Sequence, residues 1–296
     1  MQGVKISAAA AIAGTALAFG VTSGTVAQVS GVTEVQQQIA TQRMHDSVQW
    51  AAIEQHLPNR LTSAPDVLER EGDILRARRF PEDANDYYNF ALQNGGDAEN
   101  LLDKIGLTAL EMKDVPWAEA YFRRVVRIDR RNADGWNNLG TVELLNGRIA
   151  FAIADYERAV KLEKGRVVFH CNLATAYFAK GDTRDARTEM SAALKLDPLA
   201  FESDGDGWGA ATHVLSAQGR GRFSLEMAKL YARGGAVEQM LHALAIASEA
   251  GLDLPREMHK DASLARYAGD PRISVMLHNT EALRATGKVT GSVASL

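Results

Sequence analysis

Residues 133–166 laid over residues 167–200 keep their small and apolar sites in register at a constant shift of 34. Trp136, Leu139, Gly140, Gly147, Ala152, Tyr156 and Ala159 fall over His170, Leu173, Ala174, Gly181, Ala186, Met190 and Ala193. The frame runs backward without a gap. Residues 99–132 supply Leu102, Ile105, Gly106, Ala118, Phe122 and Val125, and residues 65–98 supply Leu68, Gly72, Leu75, Ala84, Tyr88 and Ala91. Within each copy, positions 4, 7, 8 and 11 space an apolar stripe at helical intervals, and positions 20, 24 and 27 space a second one. No copy can bury its stripes alone, so the chain must stack one two-helix unit upon the next. A small residue at positions 8 and 20 lets the two helices approach closely. Gly147 and Gly181 lie between the helices, where the turn needs a permissive backbone.

The segment Trp136-Asn137-Asn138-Leu139-Gly140 resembles the opening motif of the tetratricopeptide repeat, and the fourth copy adds Tyr177 and closes on Leu196-Asp197-Pro198. The resemblance covers four copies, 65–98, 99–132, 133–166 and 167–200. It implies an all-α, right-handed superhelical solenoid of helix-turn-helix repeats with a concave and a convex face. Glu71 and Glu143 depart from the pattern, standing where the first helix carries an apolar and an aromatic residue respectively. The frame returns in degraded form at 221–254 through Ala228, Tyr231, Gly235, Met240, Leu244 and Ala247. With the following residues it makes a degenerate, repeat-like C-terminal block, 221–278. The tail, 279–296, carries little core signal.

Between array and block, residues 201–220 hold glycines at 205, 207, 209 and 219 and read as a linker. The Asp204–Gly209 stretch fails as a calcium loop, because Trp208 and Leu215 stand where oxygen ligands belong. At the other end, Lys5 precedes an apolar run, Ile6 to Gly20, and Thr25-Val26-Ala27 is a small-x-small site. That layout predicts a cleavable signal peptide, 1–27, cut after Ala27, and a periplasmic or secreted protein. Membrane contact would then arise only if the segment is retained. Residues 28–64 form an N-terminal helical segment, with a helix expected over Val35–Leu57 as a cap on the first repeat.

The net charge of −4 gives no electrostatic pull toward nucleic acid. One cysteine, Cys171, excludes an intrachain disulfide or a multi-cysteine zinc site. It lies beside the core stripe with no basic cluster to activate it. No HExxH, GxSxG, GxGxxG or phosphate-loop pattern occurs, and no two of the seven histidines are spaced as a local metal pair. No enzyme, metal or cofactor is expected. An unrecognised hydrolase would need His242, His259 and His278 to converge through the fold.

What remains is the groove. Positions 2, 6, 9 and 13 share a face of the first helix offset from the core stripe, and the resemblance places that face on the concave side. Position 6 reads Arg70, Lys104, Asn138 and Asn172; position 9 reads Asp73, Leu107, Thr141 and Thr175. An amide both donates and accepts, so a stacked Asn138–Asn172 pair would grip a peptide unit. Arg70 and Lys104 would take an acidic side chain or a carboxylate. The expected ligand site is therefore Arg70, Asp73, Lys104, Asn138, Thr141, Asn172 and Thr175. Acids at positions 2 and 5, among them Asp66, Glu69, Asp103 and Asp134, should pair locally with the bases. Arg123, Arg124, Arg127, Arg130 and Arg131 read first as a solvated helix end matched to the dipole. The expected work is that of a non-catalytic scaffold for a protein or peptide partner, supporting an envelope complex. The alternatives are a self-associating structural protein, hence a homo-oligomer, or an accessory or regulatory subunit of an envelope enzyme.

Overall fold

The computed structural model describes residues 44–201 and 215–285. The leader at 1–27, residues 28–43, the Asp204–Gly209 stretch and residues 286–296 of the tail lie outside the described residues. The chain divides into two units, Met1–Leu57 and Pro58–Leu296. In the first, helix α1 (Val48–Glu54) starts at Ser47, whose hydroxyl accepts from Trp50 N, and His45 stacks on the Trp50 ring at 3.9 Å.

The second unit is built of antiparallel helix pairs. They are α2 (Pro65–Ala77) with α3 (Pro81–Gln93), α4 (Ala98–Glu111) with α5 (Val115–Ile128), α6 (Ala133–Leu145) with α7 (Ile149–Leu162), and α8 (Val167–Lys180) with α9 (Thr183–Leu196). The second helices open at 81, 115, 149 and 183, so the 34-residue period of the sequence is the period of the hairpins. Through the first four hairpins, the second helix of one packs on the first helix of the next. Helix starts are chemically marked. Prolines sit in the first turns of α2, α3 and α5, and Asp97, Asp114 and Asn132 cap α4, α5 and α6.

The second-helix stripe is buried in every copy. Ala84, Ala118, Ala152 and Ala186, then Tyr88, Phe122, Tyr156 and Met190, then Ala91, Val125, Ala159 and Ala193 are all fully buried. Position 24 lies on position 8 of its own hairpin. A Cβ added at Gly72, Gly106 or Gly140 would come within 2.5, 2.6 and 2.8 Å of the rings of Tyr88, Phe122 and Tyr156 respectively. Where position 8 is Ala174, position 24 is Met190, and in the degenerate block Ala228 is matched with Leu244; all four are fully buried. A flat ring thus sits on a glycine, and a narrower, flexible side chain sits where a methyl group takes up space.

The turn between paired helices uses a left-handed residue at position 15. Gly147, Gly181 and Gly235 have φ of 72, 90 and 74°, as the sequence leads one to expect. Arg79 and Lys113 hold the same conformation in the first two hairpins, with φ of 68 and 62°. For residues with a Cβ this is strained, and the surrounding hairpin imposes it. The departure at Glu143 also has a structural account. Its buried carboxylate lies between Arg123, at 3.2 Å, and Arg148, while Arg148 also reaches Glu119 at 2.7 Å.

Beyond residue 214 the chain forms α10 (Ala217–Gly234), α11 (Val237–Glu249), α12 (Leu254–Lys260), α13 (Ala262–Ala265) and α14 (Pro271–Ala285). Helix α10 opens inside the stretch that its glycines mark as a linker. The reason is packing: the Ser216 hydroxyl caps the helix through Gly219 N at 3.0 Å, and a Cβ on Gly221 would meet Ala250 and Leu252 at 2.4 and 2.6 Å. α10 pairs with α11, and α14 covers α11 and α12 with Ile273 fully buried. Arg187 of α9 reaches Glu226 of α10 at 2.8 Å, and Phe178 meets Phe223 edge to face. Among the described residues no helix is long and apolar enough to cross a membrane.

Two measurements check this account. Gly140→Ala should lower stability by about 1–3 kcal/mol in urea denaturation, because the new methyl has no room against the Tyr156 ring. Adding Tyr156→Met should recover part of that loss, by analogy with Ala174 and Met190. Lys113→Gly should raise stability by about 0.5–1 kcal/mol by relieving the left-handed strain; an unchanged or lower urea midpoint would contradict the account of that turn.

Candidate functional site

Between α4, α6 and α8 lies an open cavity of about 580 Å³. The first helices of successive hairpins supply its wall. The polar side chains there follow a rule that only the stacked hairpins display: position 6 of one copy bonds to position 5 of the copy before it. Lys104 Nζ donates to Glu69 Oε1 at 2.7 Å, Asn138 Nδ2 to Asp103 Oδ1 at 2.8 Å, and Asn172 Nδ2 to Asn137 Oδ1 at 2.8 Å. Asn137 Nδ2 in turn donates to Asn138 Oδ1 at 3.2 Å. The result is one continuous amide chain, Asn172 to Asn137 to Asn138 to Asp103, crossing three first helices.

The seven residues expected at the ligand site separate in this geometry. Asn138, Thr141 and Asn172 line the cavity. Asn138 and Asn172 do not pair with each other directly; Asn137 stands between them. The Thr141 hydroxyl donates to Asn137 O at 3.2 Å and accepts from Tyr156 OH at 3.0 Å, so it also holds the core tyrosine. Asp73 serves Tyr88 in the same way at 2.8 Å and accepts from Lys104 as well. Lys104 is therefore committed to Glu69 and Asp73. Burial opposes its charge, but those hydrogen bonds outweigh it and hold the ammonium above its ordinary range. Arg70 has no preceding copy to bond; it is exposed and lies 3.7 Å from Asp66 on its own helix. Thr175 is buried, and its hydroxyl returns to Cys171 O at 2.9 Å.

The charged residues that line the cavity are acids. Asp97, Glu99, Asp103 and Asp134 line it, and no lysine or arginine does. Asp134 is paired from outside by Arg166 at 2.7 Å, and Glu99 accepts from Asn132 Nδ2 at 2.6 Å. Burial pushes the Asp103 carboxyl above the usual carboxylate range; the Asn138 hydrogen bond opposes that and the neighbouring Asp134 adds to it. Asp97, Glu99, Asn132, Asp134 and the position 5 residues Asp103 and Asn137 are among the lining residues that the sequence did not single out as ligand contacts. The signal for position 5 was its run of acids and an amide, Glu69, Asp103 and Asn137, one residue before position 6 in the first three copies.

The other chemistry-bearing residues among those described are dispersed over the fold. His170 is buried, with Nε2 on Lys164 O at 3.0 Å and Nδ1 on Glu189 at 2.6 Å. His242, His259 and His278 are exposed, and among the described residues no group of three His, Cys, Asp or Glu side chains is placed to hold a metal ion. On α5, Arg123 is tied to Glu119 and Glu143, while Arg124 lies over the Tyr121 ring at 5.7 Å. Arg127, Arg130 and Arg131 are exposed at the end of that helix. Cys171 is buried, and desolvation pushes its thiol up to about 12. A thiol reagent at pH 8 should therefore label it at least about a hundredfold slower in the native protein than in urea; equal rates would show an accessible, ionisable thiol.

Residues 104–165 and 171–204 match the family model described as tetratricopeptide repeat. No curated protein matches the sequence. Among solved structures, the chain is similar to MamA, at 18% identity over 60% of this chain and 93% of that one, with a TM-score of 0.43. It is also similar to TTC0263, a thermophilic TPR protein of Thermus thermophilus, at 17% identity over 69% and 100% of the two chains, with a TM-score of 0.44. PilF of Pseudomonas aeruginosa aligns at 16% identity over 86% and 96%, with a TM-score of 0.46. Residues 104–165 and 171–204 thus carry tetratricopeptide repeats, and hairpins on the same 34-residue frame continue on both sides of them.

Proposed function

We propose that this protein is a non-catalytic scaffold that holds an extended segment of a partner polypeptide against the cavity between α4, α6 and α8. The observation that carries the reading is the amide chain from Asn172 to Asp103. It sets polar groups along a line across three repeats, at residues that line the cavity. Each amide in that line keeps a hydrogen-bonding group beyond those used between repeats, so it can meet peptide N–H and C=O groups without reading a side-chain sequence. The cavity is open, is lined largely by acids and asparagines, and carries no nucleophile–base pair, which suits holding a ligand rather than transforming it. The signal-like segment at 1–27 favours work outside the cytoplasm, and an envelope assembly is the setting we infer for the partner.

The test is a pull-down from envelope extract with mature 28–296 beside its Asn138→Ala, Asn172→Ala variant. The variant should keep its helical signal, lose about 1–2 kcal/mol of stability from the missing inter-repeat bonds, and recover at least about tenfold less of a specific partner. Equal recovery of the same partner by both proteins would move the site off this cavity.

A further inference from the structure

The outer faces of α5 and α7 carry a pattern that the repeat does not require. Positions 19, 22, 26, 29 and 30 fall on one side of the second helix, turned away from the buried stripe at 20, 24 and 27. At position 19 stand Trp117 and Phe151, 58 and 65% exposed, and at position 30 stand Ile128 and Leu162, 55 and 37% exposed. Position 26 is Arg124 and Arg158, position 29 is Arg127 and Lys161, and position 22 is alanine in both helices. No acid stands at any of these sites in the two helices. The fold does not impose the pattern, because α3 and α9 build the same hairpin with Asp83 and Asp185 at position 19. The Trp117 ring stacks on Tyr121 at 5.7 Å and is still more than half exposed.

The bases of this face are also unpaired. Arg76, Lys104, Arg148 and Arg166 are each held by acids, whereas Arg124, Arg127, Arg158 and Lys161 form no ion pair among the described residues. Arg124 and Arg158 lie over the rings of Tyr121 and Trp136 at 5.7 and 4.4 Å, which positions each guanidinium without neutralising it. The flanking acids are engaged elsewhere: Glu157 accepts from Tyr177, and Asp155 is half-buried. A base in the last turn suits the helix dipole, but the dipole does not account for exposed rings at the opposite end of the same helices. Uncancelled cations beside exposed aromatic and aliphatic side chains match the headgroup layer of an anionic bilayer, where phosphates meet the cations and rings enter the interface. A protein surface would have to supply acids at fixed spacing and recesses for two rings; a bilayer meets any spacing, because its lipids move. We propose that this face of α5 and α7 docks the protein on an anionic membrane surface, with Arg124, Arg127, Arg158 and Lys161 on lipid phosphates and Trp117 and Phe151 in the interface. The contact is peripheral, is separate from the cavity between the first helices, and does not need the leader to be retained.

The experiment is sedimentation of the full mature chain with phosphatidylcholine vesicles that contain or lack phosphatidylglycerol. Binding should be at least about tenfold stronger to the anionic vesicles and should weaken as salt rises. Arg127→Gln with Lys161→Gln should lower binding to the anionic vesicles by at least about tenfold, since each base near such a surface contributes about fivefold. Trp117→Gln with Phe151→Gln should lower it by at least about tenfold while its dependence on salt remains. All four side chains are exposed, so both variants should keep the helical signal and melting temperature of the wild type. Arg78→Gln with Arg256→Gln, which removes the same charge at exposed sites elsewhere, should leave binding unchanged. Equal binding to both kinds of vesicle, binding that survives both double variants of the face, or an equal loss in the control variant would overturn the proposal. Absence of binding to either vesicle would also overturn it. A labelled Glu-rich peptide that binds the wild type and is lost with Arg127→Gln and Lys161→Gln would then make the face a site for an acidic polypeptide instead.

Discussion

The array depends on how closely position 8 of a first helix approaches position 24 of its partner. At Gly72, Gly106 and Gly140 the ring of Tyr88, Phe122 or Tyr156 occupies the volume a Cβ would need. The contact sets the distance between the helices of a hairpin, and the alanines at position 20 set it from the other side. Because each second helix also packs on the next first helix, an error in one hairpin would be passed to its neighbours. The fourth hairpin and the degenerate block keep the same fit with a different division of volume, Ala174 with Met190 and Ala228 with Leu244. Close packing tolerates that exchange because the summed volume is conserved.

On this scaffold the polar residues of the first helices do two jobs. They join one repeat to the next through the bond from position 6 to position 5, and they furnish the cavity wall with the groups left over. The two jobs are linked. Asp103 receives Asn138 as inter-repeat glue and, by accepting, decides which way each amide behind it points. The cavity wall carries four carboxylates and no lysine or arginine. The basic residues at position 6 lie outside it, Lys104 bound between Glu69 and Asp73, and Arg70 exposed on the first repeat.

Much of this was legible in the residues. The buried stripe and the close-approach glycines follow from period and residue type, because a helix places fixed spacings on one face. The candidate site was legible only as a face. Thr141 and Asp73 read as groove residues, yet both also serve a core tyrosine, because position 24 is Tyr in those copies and its hydroxyl needs a partner. Thr175 stands at the same position, but Met190 makes no such demand and the hydroxyl turns back to its own helix. Nor did the sequence show that Arg79 and Lys113 adopt the left-handed turn that Gly147 and Gly181 adopt. The hairpin closes the same way in all four copies, and tertiary packing overrides the residue's own preference.

The sequence by itself determined the unit, its period and its core, since a repeated pattern of small and apolar residues can be buried in one way only, by stacking. Tertiary structure decided which polar groups meet. Residues 35 apart are not neighbours on any one helix; Asn138 and Asp103, or Asn172 and Asn137, come within hydrogen-bond distance only after two hairpins have stacked with a particular offset. Hydrogen bonds are directional and short, so which polar groups meet across the repeats was settled by that offset.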